Sequence, residues 1–247
     1  MQEHSAVVTG GAQGIGKGIA LALASAGLRV VILDVNRRAG RETAEEIKDV
    51  TFVEGDAADE RAVREAVRVA SRRGRGLYAA VANAGIFTRG AVTRFSRRDW
   101  DRLIAVNLTG AFLLAKAAAR PLAAHKGSLV VVASIRAHQS EPSWEAYCAS
   151  KGGLVALTQA LAVSLAPKVR VNCVSPGWVP TDLWQERSRR RAPQLSEADR
   201  KLQPVGRTGS PTDIGALVRF LVSPEAAFIT GTEVVADGGL SRKLPAT

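Results

Sequence analysis

The sequence predicts one α/β domain over residues 1–247, built on a doubly wound parallel sheet of about seven strands with helices on both faces. Two observations predict this fold. Short, nearly continuous apolar runs alternate with segments of helical period, and a glycine cluster follows the first run. Apolar runs without polar alternation are typical of strands that are covered on both faces. Strands that alternate with helices are joined by right-handed crossovers, which gives a parallel sheet.

The predicted strands are short, mostly apolar runs at 6–10, 29–34, 51–56, 77–85, 127–134, 169–177 and 233–239. Between several of these runs, apolar residues recur at the spacing of one helix face. Helices are therefore expected at 15–26, 38–47, 60–73, 100–123 and 146–165. Gly27 suits the end of the first helix, because glycine readily adopts the left-handed conformation that ends helices.

The stretch 182–210 breaks this alternation, because it is long, polar and charged. In an otherwise compact chain, such a segment is a candidate lid over a binding site. We expect the lid at about 183–203. No linker, low-complexity segment or repeat marks a second domain.

The chain carries 34 basic and 23 acidic residues, a formal charge of +11. Such an excess makes nucleic acid and acidic molecules candidate partners. The arginines are scattered, as at 72–75, 97–98 and 187–191, and no basic stretch is interleaved with aromatic residues. This pattern favours a solvated basic surface and no nucleic-acid partner. An acidic substrate or carrier protein is the alternative.

Several absences bear on location. No run approaches the roughly 20 apolar residues that a bilayer span needs, and the first residues lack the layout of a signal peptide. Cys148 and Cys173 match no metal motif, and the three histidines lack ligand spacing. We therefore expect a cytoplasmic protein with free thiols, no membrane association and no metal.

The glycine cluster TGGAQGIG at 9–16 lies between the first predicted strand and the first predicted helix. Gly10, Gly14 and Gly16 permit a tight turn and let a diphosphate approach the backbone N–H groups of a helix N-terminus. The spacing differs from the commoner dinucleotide fingerprint. Its place between strand and helix nevertheless favours a dinucleotide-binding loop.

Asp34 ends the second predicted strand, 18 residues after Gly16. In this fold, a carboxylate at that position bonds the adenosine ribose hydroxyls and repels the 2′-phosphate of NADP. Arg37 and Arg38 lie nearby and favour the opposite preference. Because the carboxylate is in place and Gln13 adds no positive charge to the loop, NAD is the expected cofactor.

Tyr147 and Lys151 lie four positions apart in a predicted helix, so they share one helix face. A free phenol is a poor base at neutral pH, because its pKa is near ~10. A lysine cation about 4 Å away, at an effective dielectric constant of about 20, favours the phenolate by about 4 kcal/mol, or about three pKa units. The spacing therefore predicts that the pKa of Tyr147 is lowered to a value useful in acid–base catalysis.

The chain resembles the short-chain dehydrogenase/reductase family over essentially its whole length. The resemblance rests on TGGAQGIG at 9–16, GDAAD at 55–59, ANAG at 82–85, Asn107, Ser134, YCASK at 147–151 and SPGWVPT at 175–181, in this order. Ala82 and Ala133 depart from the family's usual asparagine and serine, and neither position carries an assigned role. The resemblance implies a single Rossmann-type domain and a nicotinamide-dependent oxidoreductase.

The resemblance also implies where the cofactor binds. Asp56 is expected to bond the adenine amine, the segment 83–85 to pass beneath the riboses, and the segment 176–181 to hold the nicotinamide carboxamide. The expected cofactor-binding residues are Gly10, Gln13, Gly14, Ile15, Gly16, Asp34, Asp56, Ala57, Asn83, Ala84, Gly85, Tyr147, Lys151, Pro176, Gly177, Val179 and Thr181.

The implied catalytic set is Asn107, Ser134, Tyr147 and Lys151. By the resemblance, Ser134 orients the substrate oxygen while Tyr147 takes the hydroxyl proton as hydride passes to the nicotinamide. Lys151 lowers the pKa of Tyr147 and binds the nicotinamide ribose. Asn107 holds a water that links Lys151 to solvent.

The expected substrate pocket combines aromatic and polar side chains, with His138 at its rim. Such a lining suits a polyol, a sugar or a small cyclic alcohol, oxidised to its ketone with NAD. The expected pocket residues are Arg136, Glu141, Trp144, Trp178 and Trp184.

Three other functions stay open. One is a reductase of 3-oxoacyl groups on an acyl carrier protein, a role that usually uses NADPH, which Asp34 opposes. A second is a non-enzymatic, cofactor-sensing regulator, against which the intact catalytic set weighs. A third is a purely structural subunit, for which Tyr147→Phe would cause no loss. Members of the family commonly assemble through their long helices, and the stretch 152–165 has more aliphatic surface than one sheet face needs. We expect a homotetramer, with a dimer as the alternative.

Overall fold

The computed structural model describes residue 1 and residues 3–243. Within these residues, seven strands form one sheet in the order β3-β2-β1-β4-β5-β6-β7, and every neighbouring pair is parallel. The predicted doubly wound sheet is confirmed. The strands are β1 (Ser5–Thr9), β2 (Arg29–Asp34), β3 (Val50–Glu54), β4 (Leu77–Ala82), β5 (Ser128–Val132), β6 (Arg170–Pro176) and β7 (Glu233–Ala236).

Helices connect the strands, and the predicted helices start and end within three residues of the observed ones. The predicted helix 100–123 is one helical stretch interrupted by a π-helical turn at Ala105–Thr109. The helices are α1 (Gly14–Ser25), α2 (Arg37–Glu46), α3 (Glu60–Ser71), α4 (Arg97–Ile104), α5 (Gly110–Ala124), α6 (Glu145–Leu165), α7 (Glu197–Leu202) and α8 (Pro211–Val222).

The sheet buries apolar side chains on both faces, because successive residues of a strand point to opposite sides. Val7 of β1 joins a buried cluster with α3, α5 and α6, whereas Ala6 and Val8 join a second cluster with α1 and α8. The strand residues of both clusters are at most 5% exposed. Burial on both faces explains why the strands read as continuous apolar runs.

Helix α8 was not among the predicted elements. Ser210 caps its N-terminus in a capping box with Asp213, and Pro211 occupies the first turn. This pattern is a helix-start signal in the sequence, and it lies directly after the polar stretch 182–210. The predicted lid, 183–203, is also more ordered than expected, since it contains α7 and the 3₁₀ turn Arg187–Arg189.

Two helical stretches, Arg97–Ala124 and Glu145–Leu165, are long and apolar enough to cross a membrane by length and composition alone. Buried helices of globular proteins meet the same criterion. Half of the apolar window of the first stretch is buried within the protein, and 28% of that of the second. The larger exposed share of α6 leaves aliphatic surface outside the core.

Candidate active site

A cleft of about 460 Å³ opens at the carboxyl ends of the strands. It lies where the strand order reverses between β1 and β4, which is where ligands bind in open α/β sheets. The predicted strands 77–85 and 127–134 stop short at Ala82 and Val132 because their last residues leave the sheet to line this cleft. Most of the residues that the sequence predicted for the cofactor surround it.

The glycine loop forms one wall of the cleft. Gly10 has a φ of +63°, and a Cβ atom on Gly16 would lie 1.9 Å from the Gly10 carbonyl oxygen. The Asn83 side-chain amide donates to the carbonyl oxygens of Thr9 and Gly10, at 3.1 and 2.9 Å. The loop is therefore folded tightly against the end of β4, in a conformation that residues with a side chain at these positions would not permit.

The loop leaves polar groups for a ligand to use. Helix α1 begins at Gly14 without a side-chain cap, so its first N–H groups keep their bonding capacity. The Gln13 side-chain oxygen is buried and has no hydrogen-bond partner among the described residues. Gln13, Gly14, Ile15 and Gly16 all line the cleft. These residues fit the diphosphate and ribose of a dinucleotide, because they offer uncapped donors and an unused acceptor.

At the end of the cleft formed by β2, the Asp34 carboxylate is anchored by the backbone. It accepts hydrogen bonds from the N–H groups of Ala12 and Asn36, at 3.1 and 2.9 Å. Burial raises the pKa of Asp34, and the backbone donors oppose that effect. The nearby arginines are directed to other carboxylates: Arg37 to Glu54 at 3.5 Å and Arg38 to Glu42 at 3.2 Å.

Asp56 has a partner that the sequence did not reveal. Its carboxylate pairs with Arg102 at 2.7 Å and accepts a bond from the Ala58 N–H at 2.8 Å. Arg102 and Gln185 both line the cleft and were missing from the predicted site. No local signal identifies them, because their positions depend on how α4 and the segment after β6 pack across the cleft.

The opposite end of the cleft holds Ser134, Tyr147 and Lys151. Tyr147 and Lys151 lie one turn apart on α6, as the spacing predicted. The Lys151 ammonium donates to the Val132 carbonyl at 3.1 Å and lies 5.5 Å from the centroid of the Tyr147 ring. One cleft thus contains a phenol, a hydroxyl and an amine together with the glycine loop.

The expected lowering of the Tyr147 pKa is wrong for the side chains of this structure. Burial raises the pKa of Tyr147, and the Ser134 hydroxyl only partly opposes it. Burial also lowers the pKa of Lys151 to about 8. The prediction failed because it counted the attraction between the two groups and omitted the cost of removing both charged forms from water.

Asn107 lies beside the cleft, in the π-helical turn between α4 and α5. Its side chain accepts from the Ile86 N–H at 2.8 Å and donates to the Ile86 carbonyl at 3.0 Å and to Ser150 at 3.1 Å. The residue is 1% exposed. Asn107 therefore ties the loop after β4 to α6, and the π turn is the irregularity that places it there.

An aromatic wall adjoins Tyr147 on the substrate side. The rings of Phe87 and Trp144 are 4.4 Å apart, and both meet the Tyr147 ring nearly edge-on, at 5.2 and 5.9 Å. The Arg136 guanidinium stacks on Trp144 at 4.5 Å and pairs with Glu141. The structure thus brings together Arg136, Glu141 and Trp144. The Arg136 guanidinium contacts both of the other two side chains.

None of the five predicted pocket residues lines the cleft itself, and two of them, Trp178 and Trp184, also lie apart from the aromatic wall. Trp178 lines a separate cavity of about 380 Å³ with Asp182 and Arg191. Trp184 lies in a short 3₁₀ turn and lines none of the described cavities. The Val179 side chain packs against the buried cluster that includes α1 and α8. His138 pairs with Glu233 at 2.7 Å and stays off the cleft lining.

A parallel sheet whose reversal point carries a tight glycine loop, opposite a tyrosine and a lysine, defines an oxidoreductase of the dinucleotide-binding class. A family model described as "Enoyl-(Acyl carrier protein) reductase" matches residues 10–241. The chain belongs to the short-chain dehydrogenase/reductase family, whose members use nicotinamide cofactors. It is an oxidoreductase of the kind that acts on CH–OH groups.

Relatives span nearly the whole chain. An uncharacterized oxidoreductase of Thermotoga maritima is 43% identical over 97% of this chain and 96% of its own length. A cyclopentanol dehydrogenase of Comamonas sp. is 38% identical, with coverage of 94% and 95%. An L-fucose dehydrogenase of Oryctolagus cuniculus is 37% identical, with coverage of 94% and 83%. The structure of an apo SCOR enzyme from Clostridium thermocellum matches with a TM-score of 0.89, at 33% identity over 99% and 96% of the two chains.

Proposed function

We propose that this protein interconverts a secondary alcohol and its ketone with NAD, using Tyr147 as the general acid and base. The observation that carries the proposal is the shared cleft, in which Ser134, Tyr147 and Lys151 lie opposite the glycine loop. Hydride transfer needs a cofactor site and a proton-transfer group side by side. This cleft supports both.

The cofactor-binding residues would be the seventeen predicted residues, of which all but Val179 line the cleft, and Val179 would contribute through its backbone. When bound, the nicotinamide supplies the hydride acceptor or donor. The Asp34 carboxylate supports NAD over NADP, because a 2′-phosphate would approach a negative charge. Arg37 and Arg38, which would favour a phosphate, are already paired with Glu54 and Glu42.

Tyr147 would move the proton between the substrate oxygen and the protein. Because burial raises its pKa, the phenol is protonated at neutral pH and suited to donate to a ketone oxygen. In the oxidation direction the phenol must lose its proton, which the nearby Lys151 ammonium favours. Ser134 would hold the substrate oxygen by a hydrogen bond. Lys151, with a pKa of about 8, would exchange protons near the operating pH.

The aromatic wall supports a compact ring-shaped or polyhydroxylated substrate. Phe87 lines the cleft and offers a flat apolar face against which a ring's C–H groups would pack, and Trp144 supports it from behind. Relatives named for cyclopentanol and L-fucose support the same substrate class. A small cyclic alcohol, a sugar or a polyol is therefore the proposed substrate.

A panel of cyclopentanol, L-fucose and linear polyols, each with NAD and with NADP, tests the proposal. We expect reduced nicotinamide to form with NAD and at least one alcohol, and to form more slowly with NADP. If no alcohol supports reduction of either cofactor at alkaline pH, the proposed reaction is wrong.

A reductase of acyl-carrier-protein substrates is the second candidate. The formal charge of +11 would help an acidic carrier dock, and the matching family model bears an acyl-carrier-protein name. This function predicts rapid consumption of NADPH with a 3-oxoacyl thioester and slow turnover of the free alcohols. The same cofactor comparison therefore separates the two candidates.

The assembly proposed with this function is a homotetramer, with a dimer as the alternative, in the cytoplasm. Val163 on α6 and Phe112 on α5 are exposed at 81% and 47%, which supports burial of these helices between subunits. Sedimentation at micromolar concentration is expected to give four chains per particle. A monomer would contradict the assembly.

A further inference from the structure

A short segment after β6, which we call the strap (residues 185–190), joins the cleft to α2. Its first residue, Gln185, lines the cleft and donates to the Thr181 carbonyl at 3.3 Å. The backbone N–H of Arg187 donates to Glu42 at 2.6 Å, and the Arg187 side chain donates to Glu46 at 2.8 Å. The strap is therefore fixed at the cleft on one side and on α2 on the other.

Glu46 is the main anchor of the strap. Arg187 and Arg190 of the strap both bind its carboxylate at 2.8 Å, and Lys17 of α1 binds it at 2.5 Å. These three cations hold the pKa of Glu46 at about 2, despite the opposing effect of burial. Because Glu46 of α2 binds Lys17 of α1 and two arginines of the strap, it fixes the position of the strap relative to both helices.

Glu186 lies between Gln185 and Arg187 of the strap, and its side chain reaches Asn36 after the end of β2. Its carboxylate accepts from the Asn36 side-chain amide at 3.2 Å and from the Ser188 hydroxyl at 3.1 Å. The backbone N–H of the same Asn36 donates to Asp34. One residue thus bridges the carboxylates of Asp34 and Glu186.

Glu186 differs from the other carboxylates of this region in its partners. Glu42, Glu46 and Glu54 each pair with at least one lysine or arginine. Among the described residues, no cation lies within ion-pair distance of Glu186, and both of its partners are neutral. Its negative charge is therefore not compensated locally.

We propose that Glu186 is a second determinant of cofactor choice, which the strap holds beside Asp34 to exclude dinucleotides that carry a 2′-phosphate. The inference rests on the proposed use of NAD. A phosphate at the β2 end would approach the Asp34 carboxylate and, on the other side of Asn36, the Glu186 carboxylate. Arg37 and Arg38, which could attract that phosphate, pair with Glu54 and Glu42.

Equilibrium binding of NADH and NADPH, followed by nucleotide fluorescence, tests the proposal with Glu186→Gln. Removing one negative charge several ångströms from a phosphate dianion in a solvated site is expected to lower the dissociation constant for NADPH about tenfold. The constant for NADH is expected to change less than twofold. The tenfold effect should shrink in 0.5 M salt, because ions screen exposed charges.

Glu197→Gln is the matched control, because it removes the same charge from the same part of the chain. Glu197 lies in α7 and pairs with Lys201 at 2.6 Å, within its own helix. This variant is expected to leave the ratio of the two dissociation constants unchanged.

The outcomes separate the two proposals. If the unaltered protein binds NADH well and Glu186→Gln leaves the ratio unchanged, the role of Glu186 is wrong and the proposed function stands. If Glu186→Gln and Glu197→Gln change the ratio of the two dissociation constants equally, the effect comes from net charge, and the role of Glu186 is also wrong. If the unaltered protein binds NADPH more tightly than NADH, or binds neither, both proposals fail.

Discussion

The catalytic end of the cleft is buried and held mainly by uncharged hydrogen-bond partners, whereas the strap end is partly exposed and held by ion pairs. Lys151 and Asn107 are 5% and 1% exposed and bond to backbone carbonyls and a serine. At the strap end, the side chains of Glu46 and Arg187 are 23% and 50% exposed and bind each other. The same cleft therefore uses two different ways of fixing a side chain.

The difference determines what each end responds to. Desolvation dominates at the catalytic end, where it raises the pKa of Tyr147 and lowers that of Lys151 to about 8. Charge pairing dominates at the strap end, where it lowers the pKa of Glu46 to about 2. We infer that the catalytic end is sensitive to alkaline pH and the strap end to acid and salt.

Replacing the phenol should have the largest effect. Tyr147→Phe is expected to lower kcat about 10³-fold, because the proton-transfer group is lost while the packing of the ring is kept. NADH should still bind, because the other predicted cofactor residues remain. Tyr78→Phe is the matched control, since Tyr78 lies on β4, far along the sheet from the cleft lining. Equal activity of both variants would remove Tyr147 from the mechanism.

The buried lysine should make stability depend on alkaline pH. Its pKa is about 8 in the folded protein and 10.5 when unperturbed, so between these values the folded state loses the proton first. Stability therefore rises with pH in that window. Between pH 8 and 10 the unaltered protein should gain about 2 kcal/mol in unfolding free energy relative to Lys151→Met. Urea titrations at both pH values measure this difference, and parallel pH profiles would contradict it.

The strap anchor should matter in the opposite pH range. The pKa of Glu46 is lowered from 4.5 to about 2, so its contribution is present above pH 4.5 and is lost as pH falls towards 2. Glu46→Gln is expected to cost about 1.5 kcal/mol at pH 7, after a discount for solvent screening, and less in 1 M salt. Glu65→Gln, which breaks an exposed pair with Arg68, should cost less. Urea titrations at low and high salt measure both losses of unfolding free energy. Equal losses for Glu46→Gln and Glu65→Gln would contradict the role of Glu46 as an anchor.

The smallest expected effects come from removing the capping boxes of α8 and α7. Ser210→Ala removes the cap of α8, which packs on α1, and should cost about 1 kcal/mol of unfolding free energy. Ser196→Ala removes the cap of the short helix α7 and should change global stability less. Thermal unfolding of both variants measures this, and an equal loss would show that α7 unfolds together with the core.

The sheet could be predicted because its strands are buried on both faces, which leaves continuous apolar runs in the sequence. The glycine loop and the spacing of Tyr147 and Lys151 could be predicted because they are local patterns. Helix α8 was not predicted, although the capping box of Ser210 and Asp213 is a local start signal that directly follows the polar stretch 182–210.

Other features depend on contacts that a sequence does not display. The strap bond from Arg190 to Glu46 joins positions 144 residues apart. The pair of Arg102 and Asp56 likewise requires α4 to lie across the end of β3. The direction of the Tyr147 pKa shift depends on burial, which outweighs the attraction that the helical spacing suggests.

Direct transfer of hydrogen between substrate and nicotinamide tests the central claim that both ends of the cleft serve one reaction. The protein would be incubated with NAD and the best alcohol of the panel, deuterated at the carbinol carbon, and the reduced cofactor analysed by mass spectrometry. We predict NADH that carries one deuterium. NADH without deuterium, or no NADH while the ketone still forms, would contradict the account.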